Sequence, residues 1–154
     1  MLSVNQSAPD FTSINQHGDE VSLADQLKQY NVVLYFYPKD DTPGCTIEAN
    51  QFTALASEFA AANTKVFGVS KDNCESHQAF INKFTLGIDL LADTSGELCK
   101  KYGVWQEKEK AGVKKMGIAR STFVIDQTGT LRHAEYGVTP EGHAQAMLDF
   151  VKQL

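Results

Sequence analysis

Short apolar runs alternate with amphipathic stretches along most of the chain. Val32 to Tyr37 is continuous, β-branched or aromatic, and stopped by Pro38. That is the pattern of a strand buried on both faces. Lys65 to Ser70 repeats it, and Leu90 to Ala92 is a shorter version. Between these runs, Thr46 to Ala61 carries Ile47, Phe52, Leu55 and Phe59 near helical spacing without proline or glycine, and a second helix is predicted from about Cys74 to Phe84. Upstream, Phe11 to Asn15 and Val21 predict a hairpin around Gln16-His17-Gly18-Asp19, followed by a brief helix from Leu23 to Gln29. Downstream come a short helix from Gly96 to Tyr102 and strands at Ser121 to Asp126 and Leu131 to Tyr136 around the turn residues Gln127-Thr128-Gly129-Thr130. A closing helix is predicted over Glu141 to Leu154, with Ala144, Met147, Leu148 and Val151 on one face and Thr139 as its cap.

Strand–helix alternation followed by a hairpin and a final helix predicts an α/β fold with a mixed sheet. No repeat or linker divides residues 1–154, so a single domain is expected. The net charge of −5 argues against nucleic acid as a partner. The one dense charged segment, Glu107 to Lys110 with Lys114 and Lys115, alternates in sign and reads as a solvated hairpin or loop. Met1 to Gln6 lacks a basic, apolar leader and no run is long enough to span a membrane, so a cytoplasmic protein is expected. The cysteines are three, widely spaced, with no Cys-x-x-Cys, which predicts reduced thiols rather than a disulfide framework.

Cys45 stands out by its placement. It follows the Val32 to Tyr37 strand through Pro38-Lys-Asp-Asp-Thr-Pro-Gly44 and lies on or just inside the first turn of the next helix. Unpaired N–H groups and the positive end of the helix dipole favour a thiolate there, and the thiolate is the attacking form. An isolated cysteine is more often a small packed hydrophobe. Here Pro38, Thr42, Pro43 and Gly44 build a rigid turn with a hydroxyl three residues before the sulfur, which plain packing does not need. Arg120, just before the Ser121 strand, is the candidate cation for the sulfur. Glu48, one turn past Cys45, suits a bidentate partner for that arginine, or equally an exposed carboxylate near a helix start.

Pro38, Thr42 and Cys45 reproduce the Pro-x-x-x-Thr-x-x-Cys motif of the peroxiredoxins, and Thr42-Pro-Gly-Cys-Thr-Ile-Glu48 resembles the bacterioferritin comigratory protein, or Q-type, subgroup. The resemblance continues through Gly68-Val-Ser-Lys-Asp72, Ser76-His77, Gly103-Val-Trp105 and Arg120-Ser-Thr-Phe-Val-Ile-Asp126, covering the chain from Ala8 onward. It implies a thioredoxin-like fold and a thiol-dependent peroxidase acting on hydrogen peroxide and organic hydroperoxides. By the same resemblance Cys45 is the peroxidatic cysteine, Thr42 and Arg120 complete the peroxide-binding set, and Pro38 shields the site. Thioredoxin or another dithiol is the implied reductant, and a monomer or weak dimer the implied state. No cofactor and no metal are expected.

The chain departs from the subgroup at the resolving cysteine. The two usual positions are Asn50 and Ile81 here. That leaves Cys74, Cys99 or an outside thiol. Cys74 follows the Lys65 to Ser70 strand, and if that strand is parallel to Val32 to Tyr37 both cysteines sit at one sheet edge. Cys99, beside Leu98 and Tyr102, reads as packing. A disulfide oxidoreductase of the same fold is a competing reading, but Glu48 stands where its second cysteine belongs. A redox sensor passing oxidation from Cys45 to a partner thiol shares the first step and is the other alternative. Cys74 and His77 have the spacing of a zinc pair but no second pair to match. His17, His133 and His143 read as surface or turn residues, and Trp105 as a packing anchor.

Overall fold

The computed structural model describes residues 1–154. Its elements are β1 (Thr12–Ile14), β2 (Glu20–Ser22), α1 (Leu23–Leu27), β3 (Asn31–Phe36), α2 (Pro43–Ala54), α3 (Ala56–Ala61), β4 (Thr64–Ser70), α4 (Cys74–Phe84), β5 (Asp89–Ala92), α5 (Glu97–Lys101), β6 (Trp105–Lys110), β7 (Val113–Ile118), β8 (Ser121–Ile125), β9 (Leu131–Tyr136) and α6 (His143–Val151). A five-stranded sheet runs in the order β5-β4-β3-β8-β9. The β3–β4 and β4–β5 pairs are parallel, while β3–β8 and β8–β9 are antiparallel. Two separate hairpins, β1–β2 and β6–β7, complete the mixed α/β architecture, the thioredoxin-like arrangement expected from the sequence.

The central strand explains the layering. Successive side chains of β3 point to opposite faces, and both faces are covered. Val32, Leu34 and Phe36 join one core with Phe67, Tyr102 and Phe123, while Val33, Tyr35 and Tyr37 join the other with Cys45, Phe52, Phe80 and Leu148. The Tyr35 ring stacks on Phe52 of α2 at 4.7 Å between centroids. Gly68 of β4 makes room for that ring, since a Cβ there would sit 2.8 Å from it. Truncating a buried aromatic such as Phe52 typically costs about 3–5 kcal/mol, so α2 is held firmly by its second half and its first turn is carried along.

Several sequence expectations are corrected. The helix predicted over Thr46 to Ala61 begins earlier, at Pro43, because a proline at the first helical position gives up an N–H that has no partner there anyway. It also breaks at Leu55 (φ −103°, ψ 5°), where α3 begins; neither proline nor glycine marks that break. The last helix starts at His143 rather than Glu141, and its cap is Gly142 at φ +78°, not Thr139. A left-handed residue cannot lie inside a helix, so the glycine sets the boundary. Glu107 to Lys115 forms the arms and turn of β6–β7, an exposed hairpin as read. No helix is long and apolar enough to cross a membrane.

Candidate active site

Cys45 is the third residue of α2, at the C-terminal edge of the parallel strands. Thr42 caps the helix with extended backbone (φ −102°, ψ 156°), and its side chain does not close onto the helix. The Thr42 hydroxyl instead donates to the Lys39 carbonyl at 2.9 Å. The first backbone bond of the helix runs from Thr46 N–H to Thr42 O at 2.9 Å, and the N–H groups of Gly44 and Cys45 donate to no backbone acceptor. Cys45 is 2 % exposed, so only a small reagent reaches the sulfur without movement of the chain.

Arg120 joins the other components. It sits in the connection between β7 and β8, with its main chain pinned on both sides. Its carbonyl accepts from Gly137 and Val138 N–H, and Ala119 N–H donates to Val104 O at 2.8 Å. From that anchor Nη2 donates to Cys45 Sγ at 3.2 Å and Nη1 to Glu48 Oε1 at 2.8 Å. Gly44 permits the approach: a Cβ there would meet Arg120 Nη2 at 3.2 Å and Pro140 Cγ at 3.4 Å. Burial disfavours the arginine's charge, yet the sulfur and the Glu48 carboxylate outweigh it and hold Arg120 above its ordinary value.

Glu48 is fully buried, which removes the reading of an exposed carboxylate. The expected bidentate pair is also corrected: the guanidinium spends its second nitrogen on sulfur, so Glu48 receives one bond and its Oε2 has no partner. Loss of hydration pushes the Glu48 carboxyl up to about 7, with Arg120 pulling the other way. The Tyr35 hydroxyl is likewise buried without a partner, and burial first, then Glu48 and Cys45, raise its pKa well above the ordinary value.

Of the sequence candidates, the structure brings together Cys45, Arg120 and Glu48 and puts Thr42 at the helix cap. Pro38 is exposed on the connection from β3. Cys74 opens α4, half-buried, with its thiol directed to the Asn15 carbonyl at 3.4 Å. Cys99 is fully buried and burial pushes its thiol far up, which suits packing. All three cysteines are free. His143 is corrected from a surface or turn residue: it is buried and its Nε2 lies 2.8 Å from the Thr122 hydroxyl.

Two neighbours, Lys108 and Asp40, were not singled out in the sequence, and His77 was read there only as half of an unmatched zinc pair and as part of the family resemblance. Lys108 of β6 folds back so that its amine donates to the Ile118 carbonyl at 2.6 Å, two residues from Arg120. Burial first, then Arg120, lower its pKa, while Cys45 acts in the opposite sense. The alternating charges of the hairpin gave no sign of this. Asp40 and His77 form a buried pair at 2.7 Å beside the turn that leads to Cys45. A histidine among the polar positions of an amphipathic helix carries no such signal, and only the strand order brings it to Asp40.

Comparison with known proteins places this geometry. Residues 4–134 match the AhpC/TSA family. A Helicobacter pylori protein named as a Bcp peroxiredoxin is 47% identical over 148 residues, covering 96% of this chain and 97% of the relative. The Bacillus subtilis peroxiredoxin Bcp is 39% identical, covering 99% of this chain and 97% of its own. A solved structure of the Xanthomonas campestris bacterioferritin comigratory protein, a trapped intermediate/ligand complex concerned with alkyl peroxide reduction, superposes with a TM-score of 0.89 at 35% identity, covering 99% of this chain and 97% of that one.

Proposed function

The chain belongs to the AhpC/TSA family, among its Bcp/Q peroxiredoxins, and is a thiol-dependent peroxidase; from that premise we propose that Cys45 is the attacking sulfur and that Arg120, Thr42 and the first turn of α2 serve the transition state. The observation that carries this reading is Arg120, one of whose nitrogens donates to Cys45 Sγ at 3.2 Å while the other is fixed by buried Glu48 at 2.8 Å. A guanidinium so held stabilises negative charge on sulfur before reaction and on oxygen during it.

The Cys45 sulfur attacks the nearer oxygen of the hydroperoxide in line with the O–O bond. That bond breaks and the departing oxygen takes up the proton that the thiol released on becoming a thiolate, leaving as an alcohol or water, while the attacked OH oxygen stays on Cys45 as a sulfenic acid. The unpaired N–H groups of Gly44 and Cys45 donate to the peroxide. The Thr42 hydroxyl, whose proton is engaged by Lys39 O, accepts from it. Pro38, with its fixed φ, keeps the entry to the turn rigid and shields the site. Glu48 acts through Arg120 by orienting it.

A thiol then condenses with the sulfenic acid, releasing water, and a dithiol of the thioredoxin kind reduces the resulting disulfide. Cys74 is the internal candidate. Its helix is bonded to the segment before Cys45 through Ser76 and Lys83, and β3 and β4, which deliver the two cysteines, run parallel. A disulfide needs Cα atoms within about 7 Å, and because Cys45 is 2 % exposed, local unwinding of the first turn of α2 is the route by which its sulfur reaches a second thiol. The test is steady-state loss of an alkyl hydroperoxide with excess dithiol. Turnover in the wild-type protein and none in folded Cys45→Ser is expected; turnover in Cys45→Ser removes the proposal.

A further inference from the structure

The Pro38 to Thr42 turn that seats Cys45 is gripped by α4. Asp40, five residues before the cysteine, is 7% exposed and spends both carboxylate oxygens inside the protein. Oδ1 accepts from the Tyr37 hydroxyl at 2.5 Å, and Oδ2 accepts from the Ser76 hydroxyl at 2.8 Å and lies 2.7 Å from His77 Nδ1. The Asp40 N–H donates to Asp72 Oδ2 at 2.8 Å. Asp41 then takes a left-handed conformation, φ +57°, and its carboxylate meets Lys83 of α4 at 2.7 Å. A non-glycine residue in that region is held by its surroundings rather than by preference. The chain therefore reverses into α2 at a point fixed from outside.

His77 is the least replaceable part of this grip. It is fully buried, and its Nε2 lies 2.9 Å from the Leu91 carbonyl, which can only accept. Nε2 therefore carries a proton, and Nδ1 faces the Asp40 carboxylate. The ring links β5 to the turn through its two nitrogens, each facing an oxygen that accepts. Burying an imidazole and a carboxylate is costly unless each is satisfied in this way.

We propose that His77 is a positioning residue for the peroxidase site, holding Asp40 and hence the Asp41–Thr42 reversal so that Thr42, the Gly44 and Cys45 N–H groups and the sulfur share one geometry. The inference rests on Cys45 being the nucleophile. A misplacement on the order of 1 Å at a reacting centre costs about a hundredfold in rate, and release of this grip acts in that sense while leaving Arg120 and Glu48 in place.

The experiment measures the second-order rate of Cys45 oxidation by stopped flow in His77→Gln, His77→Asn and Asp40→Asn, with thermal unfolding and near-ultraviolet circular dichroism alongside. A Gln amide replaces the arm to Leu91 and loses the one to Asp40; an Asn amide does the reverse. His77→Gln and Asp40→Asn are expected to slow oxidation by at least about tenfold at temperatures where both are fully folded, and His77→Asn to recover most of the loss. A purely structural role lowers the melting temperature and leaves the rate of the folded protein unchanged, which overturns the proposal, as does His77→Asn being as slow as His77→Gln. If His77→Gln does not fold, Asp40→Asn decides alone, a wild-type rate refuting the inference. Cys45→Ser separates the two readings: peroxide consumption by that variant defeats the assignment of Cys45, whereas an inactive Cys45→Ser with a wild-type rate in His77→Gln defeats only the role of His77.

Discussion

Replacing Glu48 with glutamine removes one titrating group at nearly constant volume, and its effect on stability has a pH dependence fixed by the structure. Burial pushes the Glu48 carboxyl from an ordinary 4.5 up to about 7, with Arg120 opposing. Between those values the native state holds a proton that the unfolded chain has released, so this group favours the native state at low pH. Its contribution is complete below pH 4.5 and is lost as pH rises through about 7. Each pH unit separating the two values is worth ~1.4 kcal/mol, so the full swing is about 3 kcal/mol. Urea unfolding of both proteins from about pH 5 to about pH 9 reads it directly. The stability of wild type relative to Glu48→Gln is expected to fall by roughly 2–3 kcal/mol over that range, with most of the fall complete by about pH 7. Parallel curves would refute the reasoning, because they would mean that Glu48 keeps one protonation state throughout and that its single bond to Arg120 offsets burial.

Arg120→Lys keeps the charge but loses the planar fork that reaches Cys45 and Glu48 together, so Cys45 oxidation should slow on the order of a hundredfold; a near-normal rate in stopped flow would take Arg120 out of the transition state. Gly44→Ala adds a Cβ 3.2 Å from Arg120 Nη2 within α2, where alanine is the better helix former. Denaturant unfolding should therefore show unchanged or slightly higher stability while the peroxide step slows roughly threefold to tenfold, and a fall in both together would mean general disruption instead. Peroxide treatment followed by non-reducing peptide mapping should give a Cys45–Cys74 disulfide, and a Cys45–Cys99 peptide would remove Cys74 as the resolving thiol.

The parts of the fold carried by unmistakable patterns were legible in the sequence. Val32 to Tyr37 read as a buried strand because it is one, and α4 was placed from about Cys74 to Phe84 by its spacing, the limits at which the structure shows Asn73 capping it and Thr85 ending it in a left-handed conformation. The break at Leu55 was not legible, since it has no proline or glycine. Nor was the late start of α6, because Thr139 resembles a cap as well as Gly142 does. At the site, Cys45 and Thr42 were local in sequence and therefore visible, and Arg120 was recognised through resemblance. That its guanidinium divides between sulfur and Glu48 depends on β3 and β8 being neighbours in the sheet. Asp40 with His77, and Lys108 with Ile118, are likewise pairs made by topology, and helix or strand periodicity records only that each residue is polar.

The most direct measurement is the oxidation state of each cysteine at short times after a limiting amount of hydroperoxide, with a sulfenic-acid-trapping reagent present and peptides analysed by mass spectrometry. Cys45 alone should carry the trapped adduct, in an amount matching the peroxide consumed, and Arg120→Ala should delay its appearance. An adduct on Cys74 or Cys99 first, or peroxide consumed at the wild-type rate by Cys45→Ser, would contradict the assignment of Cys45 as the reacting sulfur.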